Sequence, residues 1–340
     1  MPFGFTSRVT GQPTERELQE IRSLLAANGL VFEGQPDFTA IAEDDGGKIV
    51  ATASLDGNVI KMVAAESEYR ESGLSGVVIT ELLRCAAEHS LFHLFLYTKP
   101  DASDKFASVG FRELARTADV VFMESGSPSA DDFRAGLEAE RFSCAGKIYG
   151  AAVMNCNPFT LGHRYLIEKA AERCDGLYVI VVEEDISEFP FADRVSLVRR
   201  GTEGIKNVKV LPSGPYAISR ATFPSYFLKD RSADSVAERQ AELDIALFAK
   251  LYVPALSLSV RFVGTEPFSE TTRMYNRKMS DILPRSGVEV IELPRLCDAR
   301  GKAISASEAR SGARRGDSER LSELLPDITL RYLAERGAKR

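Results

Sequence analysis

A chain of 340 residues exceeds the usual size of one domain, so two domains, each with its own core, are expected. With 44% apolar and 27% charged residues and a net charge of −6, it has the composition of a soluble globular protein and lacks the overall basic footprint of a nucleic-acid binder. No stretch has the length and uniform apolarity of a membrane span, and the N-terminus is not built like a signal peptide, which predicts no membrane association and a cytoplasmic location.

In chain order, "PTERELQEIRSLLAANGL" announces a helix: Thr14 and Glu17 form a capping-box pattern, Leu18, Ile21, Leu24 and Leu25 share a face, and Gly29 suits the end. Two strand-like runs, "GKIVATASLDG" and "NVIKMVAAES", meet at Asp56-Gly57, a hairpin signal. "EYRESGLSGVVITELLRCAAEHS" reads as a turn feeding an amphipathic helix, followed by the strand "LFHLFLYT", the short "DKFASVGF" and the strand "ADVVFME". This order predicts a compact α+β domain over residues 1–125. The small, polar, proline-containing "SGSPSADD" marks a linker, assigned to 126–145. From residue 146 to 340, short apolar strands ("GKIYGAAVM", "GLYVIVVEE", "VKVLPS", "LSVRFVG", "VEVIELP") alternate with helices, which implies a parallel sheet wound by βαβ crossovers. In such sheets ligands sit at the carboxyl ends of the strands.

Two segments at those ends carry chemistry. In "NCNPFTLGHRYLIEKAAERC" an apolar strand runs into Thr160-Leu161-Gly162-His163 where a helix begins. Free N–H groups and the positive end of the helix dipole would face whatever lies above the sheet, and anions bind there readily. Gly162 allows close approach and His163 can donate to a phosphoryl oxygen; the alternative is a capped helix with a partly buried histidine. "KAISASEARSGARRGD" sets Ser305, Ser307 and Arg310 just beyond the last strand, where two hydroxyls and a guanidinium can hold a polyphosphate. Alone, it reads equally as a helix cap with a solvated basic face. Together, one after the first strand and one after the last, the two would meet at one crevice.

The five cysteines, Cys85, Cys144, Cys156, Cys174 and Cys297, are odd in number and lack paired spacing, which argues against disulfides and zinc. Cys156 reads as a small packed residue, and His89 and His93 as structural or surface residues.

"TLGH" with "ISASEAR" resembles the signature pair of the HxGH nucleotidylyltransferase superfamily, with Thr160 where many members have the first histidine. "FPFADRVSLVRRG", "ISRATFPSYFLKD" and "RFVGTEPFS" narrow the resemblance to the [citrate (pro-3S)-lyase] ligase family over about residues 145 to 335. That resemblance implies an N-terminal GNAT-like α+β domain followed by a Rossmann-like parallel-sheet nucleotidylyltransferase domain. It implies ATP with Mg²⁺, activation of acetate as acetyl-AMP, and acetylation of the thiol of a CoA-like prosthetic group on the citrate lyase acyl carrier (gamma) subunit. His163, Thr160 and Arg310 would be catalytic, and Asn157, Phe159, Gly162, Gly264, Thr265, Glu266, Ser305 and Ser307 would bind the nucleotide, with no protein-built metal cluster. "RESGLSG" resembles a GNAT pyrophosphate loop, which would set Arg70, Gly73 and Ser75 on the carrier arm. Tyr216, Phe223, Tyr226 and Phe227 are candidate walls for acetate or pantetheine, with core packing as the alternative. Two departures stand out: Glu308, an acid near the expected polyphosphate, and Ala309 in place of a larger apolar residue. Other readings of the same residues are a nucleotidylyltransferase making a CoA-type or dinucleotide cofactor, and a non-catalytic CoA-binding regulatory module.

Overall fold

The computed structural model describes residues 4–337 except 70–72, 144–147, 184–186, 219–222, 229 and 268. The chain forms two compact units, Met1–Phe133 with Ile218–Leu247, and Arg134–Ala217 with Phe248–Arg340. The stretch Ile218–Leu247, which lies within the span 146–340, groups with the first unit. Among the described residues no helix is long and apolar enough to cross a membrane.

The first unit is a mixed sheet with helices on it, the α+β class expected. Its elements are β1 (Phe5–Thr10), α1 (Glu15–Ala27), β2 (Phe38–Asp44), β3 (Ile49–Asp56), β4 (Val59–Ala65), α2 (Leu74–Glu88), β5 (His93–Thr98), α3 (Ser103–Ala107), β6 (Arg112–Arg116) and β7 (Val121–Gly126). The seven strands lie in the order β1-β2-β3-β4-β5-β7-β6. Thr14 and Glu17 close the capping box as expected, with the Glu17 N–H on Thr14 Oγ1 at 3.3 Å and the Thr14 N–H on Glu17 Oε2 at 2.6 Å. Val78, Ile79, Leu82 and Ala86 of α2 pack on Val50, Ala51 and Leu55 of β3, burying one face of each. Strands β4 and β5 are the parallel pair of this sheet, joined at two positions only. The expected linker holds a helix, α4 (Ala130–Ala139), because Ser129 caps it through Asp132 and no glycine interrupts until Gly136.

The second unit contains β8 (Tyr149–Met154), α5 (Leu161–Ala171), β9 (Gly176–Val181), α6 (Phe191–Thr202), β10 (Val208–Pro212), β11 (Val260–Gly264), α8 (Glu270–Ile282), β12 (Glu289–Leu293), α9 (Ala306–Arg315), α10 (Ser318–Leu324) and α11 (Asp327–Gly337); α7 (Ala233–Leu256) is counted with it from Phe248 onward. All five strands are parallel, in the order β10-β9-β8-β11-β12. Every residue of β9 is buried, the pattern of a strand covered on both faces. Chain order reverses between β8 and β11, and the crevice outside a reversal of this kind is where open α/β sheets bind ligands.

Candidate active site

A cavity of about 460 Å³ opens at the carboxyl ends of β8, β11 and β12. Its walls bring together the two signature segments: Thr160, Gly162 and His163 from the start of α5, and Ser305, Ala306 and Ser307 from the start of α9. Two helix N-termini thus face one space, each offering unpaired N–H groups and a positive dipole end. A Cβ on Gly162 would stand 3.3 Å from the carbonyl oxygen of Ile304, so the missing side chain lets the α9 loop come close.

Thr160 is the N-cap of α5. Its Oγ1 accepts the His163 N–H at 3.3 Å and lies 2.9 Å from His163 Nδ1, while its own backbone N–H donates to Nδ1 at 3.1 Å. A backbone N–H can only donate, so Nδ1 carries its lone pair and a neutral ring holds its proton on Nε2. The Thr160 hydroxyl proton is engaged on the same nitrogen, and Thr160 is 1% exposed. Thr160 is thus built to set the tautomer of His163, with both its backbone N–H and its hydroxyl against Nδ1. Burial, with the Arg295 charge adding to it, lowers the His163 pKa from 6.5 to about 4. The ring is nevertheless partly exposed, because one side lines the cavity. His163 is therefore a neutral hydrogen-bond donor at physiological pH.

The other expected residues fall into two groups. Gly264 and Glu266 line the cavity; Thr265, Asn157, Phe159 and Arg310 do not. Phe159 is 0% exposed in the core, its ring stacked on that of His163 at 6.2 Å, so it supports the histidine. Asn157 Oδ1 accepts the Phe189 N–H at 3.1 Å, and its carbonyl accepts from Arg310. Arg310 also donates to Ser307 Oγ at 3.1 Å, tying the loop before α5 to the start of α9. Thr265 belongs to the backbone of the β11–α8 loop, donating to Leu293 and accepting from Arg295 Nε at 2.7 Å. Glu308 turns away from the cavity onto Arg320 Nη2 at 2.7 Å and Lys302 Nζ at 3.0 Å, and Ala309 is small because it is fully buried beside Leu321 and Leu324.

Arg295 escaped the sequence reading. It stands two residues past β12 in "LPRLCD", lines the cavity and pairs with Glu266, whose side chain is 7% exposed. No local pattern marks it, since its place depends on β12 lying beside β11. Cys156 is buried, and burial pushes its thiol far up, so it is a packed residue as expected. Among the described residues no group of three or more His, Cys, Asp or Glu could hold a metal ion.

In the first unit a cavity of about 600 Å³ is lined by Gly73 and Ser75 at the start of α2, by Val63, Ala64 and Ala65 of β4, and by Tyr226 and Phe227. Arg70 lies outside the described residues. Tyr216 belongs to the second unit, whereas Phe223, Tyr226 and Phe227 are buried in the first.

A family model, the citrate lyase ligase C-terminal domain, matches residues 149–333. The chain is 38% identical over 322 residues to the [citrate [pro-3S]-lyase] ligase of Klebsiella pneumoniae, covering 93% of this chain and 92% of that one. It belongs to the citrate lyase ligase family. Family members from Escherichia coli strain K12 (37% identity, 94% of this chain, 90% of that one) and Haemophilus influenzae (36%, 95% and 97%) are similar over the same extent. Among solved structures, an acyl-CoA N-acyltransferase from Pseudomonas aeruginosa overlays 36% of this chain and 97% of its own at 18% identity and a TM-score of 0.29. The span matched by the citrate lyase ligase model takes in both signature segments and the intervening stretch that joins the first unit.

Proposed function

We propose that the second unit activates acetate with ATP and that the acetyl group then passes to the thiol of a CoA-like prosthetic group on the acyl carrier (gamma) subunit of citrate lyase, in the cytoplasm. The names of the related ligases support this reading, and so does the convergence of His163 with Ser305 and Ser307 on one cavity, which is the observation that carries it. Acetate is a poor acyl donor because oxide would have to leave. In the first step an acetate oxygen bonds to the α-phosphorus and the bond to the β-phosphate oxygen breaks, giving acetyl-AMP and pyrophosphate. In the second, the thiol sulfur bonds to the acetyl carbon, AMP leaves, and the thiol proton is lost to solvent.

Each protein group has a role that follows from its geometry. His163 Nε2–H donates to a non-bridging oxygen of the α-phosphate; being neutral, it stabilises growing charge without giving up its proton. The first N–H groups of α9 and the Ser305 and Ser307 hydroxyls receive the departing pyrophosphate, with Arg310 holding Ser307 in place and adding positive charge on that side. Mg²⁺ would supply further charge neutralisation on the polyphosphate. A preorganised donor of this type contributes roughly 10² to 10³ in rate. The cavity of the first unit, with Gly73 and Ser75 at its helix start, takes the carrier arm.

Exchange of labelled pyrophosphate into ATP tests the activation step. With Mg²⁺ and no carrier protein, exchange should require acetate, and His163→Ala should cut it by about 10² or more while ATP affinity changes little. Exchange that ignores acetate but requires a phosphate-bearing pantetheine compound would assign the site to cofactor synthesis instead.

A further inference from the structure

The parallel pair β4 and β5 is joined only at Val59–Phe95 and Ile60–Leu96, after which the strands part. Main-chain groups on either side of such a gap are buried and need partners. Tyr226 supplies one: its hydroxyl donates to the Tyr97 carbonyl of β5 at 3.2 Å and accepts from the Met62 N–H of β4. Met62 lies where the register between β3 and β4 shifts, with φ +57°. The tyrosine ring is 5% exposed, and Phe223 meets Tyr97 edge-on at 5.7 Å. The segment is fastened from the other side as well. The Val31 N–H donates to the Tyr226 carbonyl at 3.0 Å, and the Ser225 N–H and hydroxyl both donate to Glu33, at 3.0 and 3.1 Å.

This wedge forms, with Phe227, one wall of the 600 Å³ cavity. Along β4 the cavity reaches from Ala65 back to Val63, one residue from Met62. Its remaining walls include the start of α2 and the cations Lys99 and Lys105. We propose that Tyr226 is a specificity residue: it ends the cavity at the reach of a pantetheine-type arm bearing a free thiol and excludes the same arm once acylated. An acyl thioester brings a carbonyl oxygen that needs a donor and an acyl group that needs room. The Met62 N–H is already taken, and the tyrosine ring fills the space beyond it. The unit therefore holds the substrate form of the arm and lets the acetylated form go. The inference rests on the carrier-arm reading of this cavity.

Calorimetry on the full-length protein tests it, with CoA and acetyl-CoA as probes and excess AMP to fill the nucleotide site. CoA should bind at least about tenfold more tightly than acetyl-CoA. Tyr226→Ala should bring the two within about twofold, and Ser75→Asp, which adds a carboxylate at the start of α2, should weaken both. Equal binding of both probes to the natural protein, or an unchanged ratio in Tyr226→Ala, overturns the wedge and leaves arm docking standing. Binding of neither probe, or binding indifferent to Ser75→Asp, overturns arm docking and the wedge with it. Should Tyr226→Ala not fold, the ratio in the natural protein decides alone.

Discussion

Lowering the pH from 7.5 to 5 should leave His163 uncharged in the folded protein, and this can be measured directly. Burial and the nearby Arg295 charge lower its pKa from 6.5 to about 4, so as pH falls the unfolded chain takes up the proton first. Stability contributed by the neutral ring is complete above pH 6.5 and erodes as pH drops toward 4. With those two values the loss at pH 5 is about 2 kcal/mol, and contact with the cavity solvent trims it to about 1–2 kcal/mol. The chain has three histidines, so imidazole ¹⁵N spectra of histidine-labelled protein contain three ring systems, and His163→Gln identifies one of them. That ring should show the Nε2–H tautomer with no titration down to pH 5. In urea unfolding, the natural protein should lose about 1–2 kcal/mol more than His163→Gln between pH 7.5 and 5. A midpoint near 6.5, a proton on Nδ1, or parallel stability losses in the two proteins would refute the argument from burial and the Thr160 N–H.

Three further outcomes follow from the same site. Thr160→Val should lower stability by about 1 kcal/mol through loss of the cap and slow acetate-dependent pyrophosphate exchange, while Thr160→Ser should retain both. Arg295→Met strips the guanidinium from the largely buried Glu266 and should cost about 3 kcal/mol in thermal unfolding, with partial recovery when Glu266→Gln is added. Glu308→Gln should leave the KM for ATP within about twofold, because the carboxylate faces Arg320 and Lys302, and should cost about 1 kcal/mol of stability.

What could be read from the sequence was local. The capping box at Thr14 and Glu17, the hairpin at Asp56-Gly57 and the helix starts at Thr160 and Ser305 each depend on neighbours within a few residues, and the structure places them accordingly. Strands β1, β2 and β6 went unread, because runs such as "FTSRVT" and "RELAR" are short and rich in polar and charged residues. Helix α8 also went unread, because "ETTRMYNRKMSDI" is mostly polar, although Asn276 and Met279 are buried. Within the site, His163 and the two serines were legible as residue types at helix starts. The tautomer that Thr160 imposes, the burial of Phe159 and the arrival of Arg295 all depend on packing between elements far apart in sequence, which spacing alone does not encode.

The stretch Ile218–Leu247 also bears on how the protein is made. A ribosome that has released Phe133 must add 93 more residues before Tyr226 emerges, and only then can it close the gap between β4 and β5. At about 5–20 residues per second the first unit waits roughly 5–19 s with that gap unsealed. Nascent chains in this interval expose Met62 and Tyr97 to chaperones and to neighbouring strands. For the same reason, no single cut yields both units whole: a break after Phe133 strands the wedge on the wrong fragment.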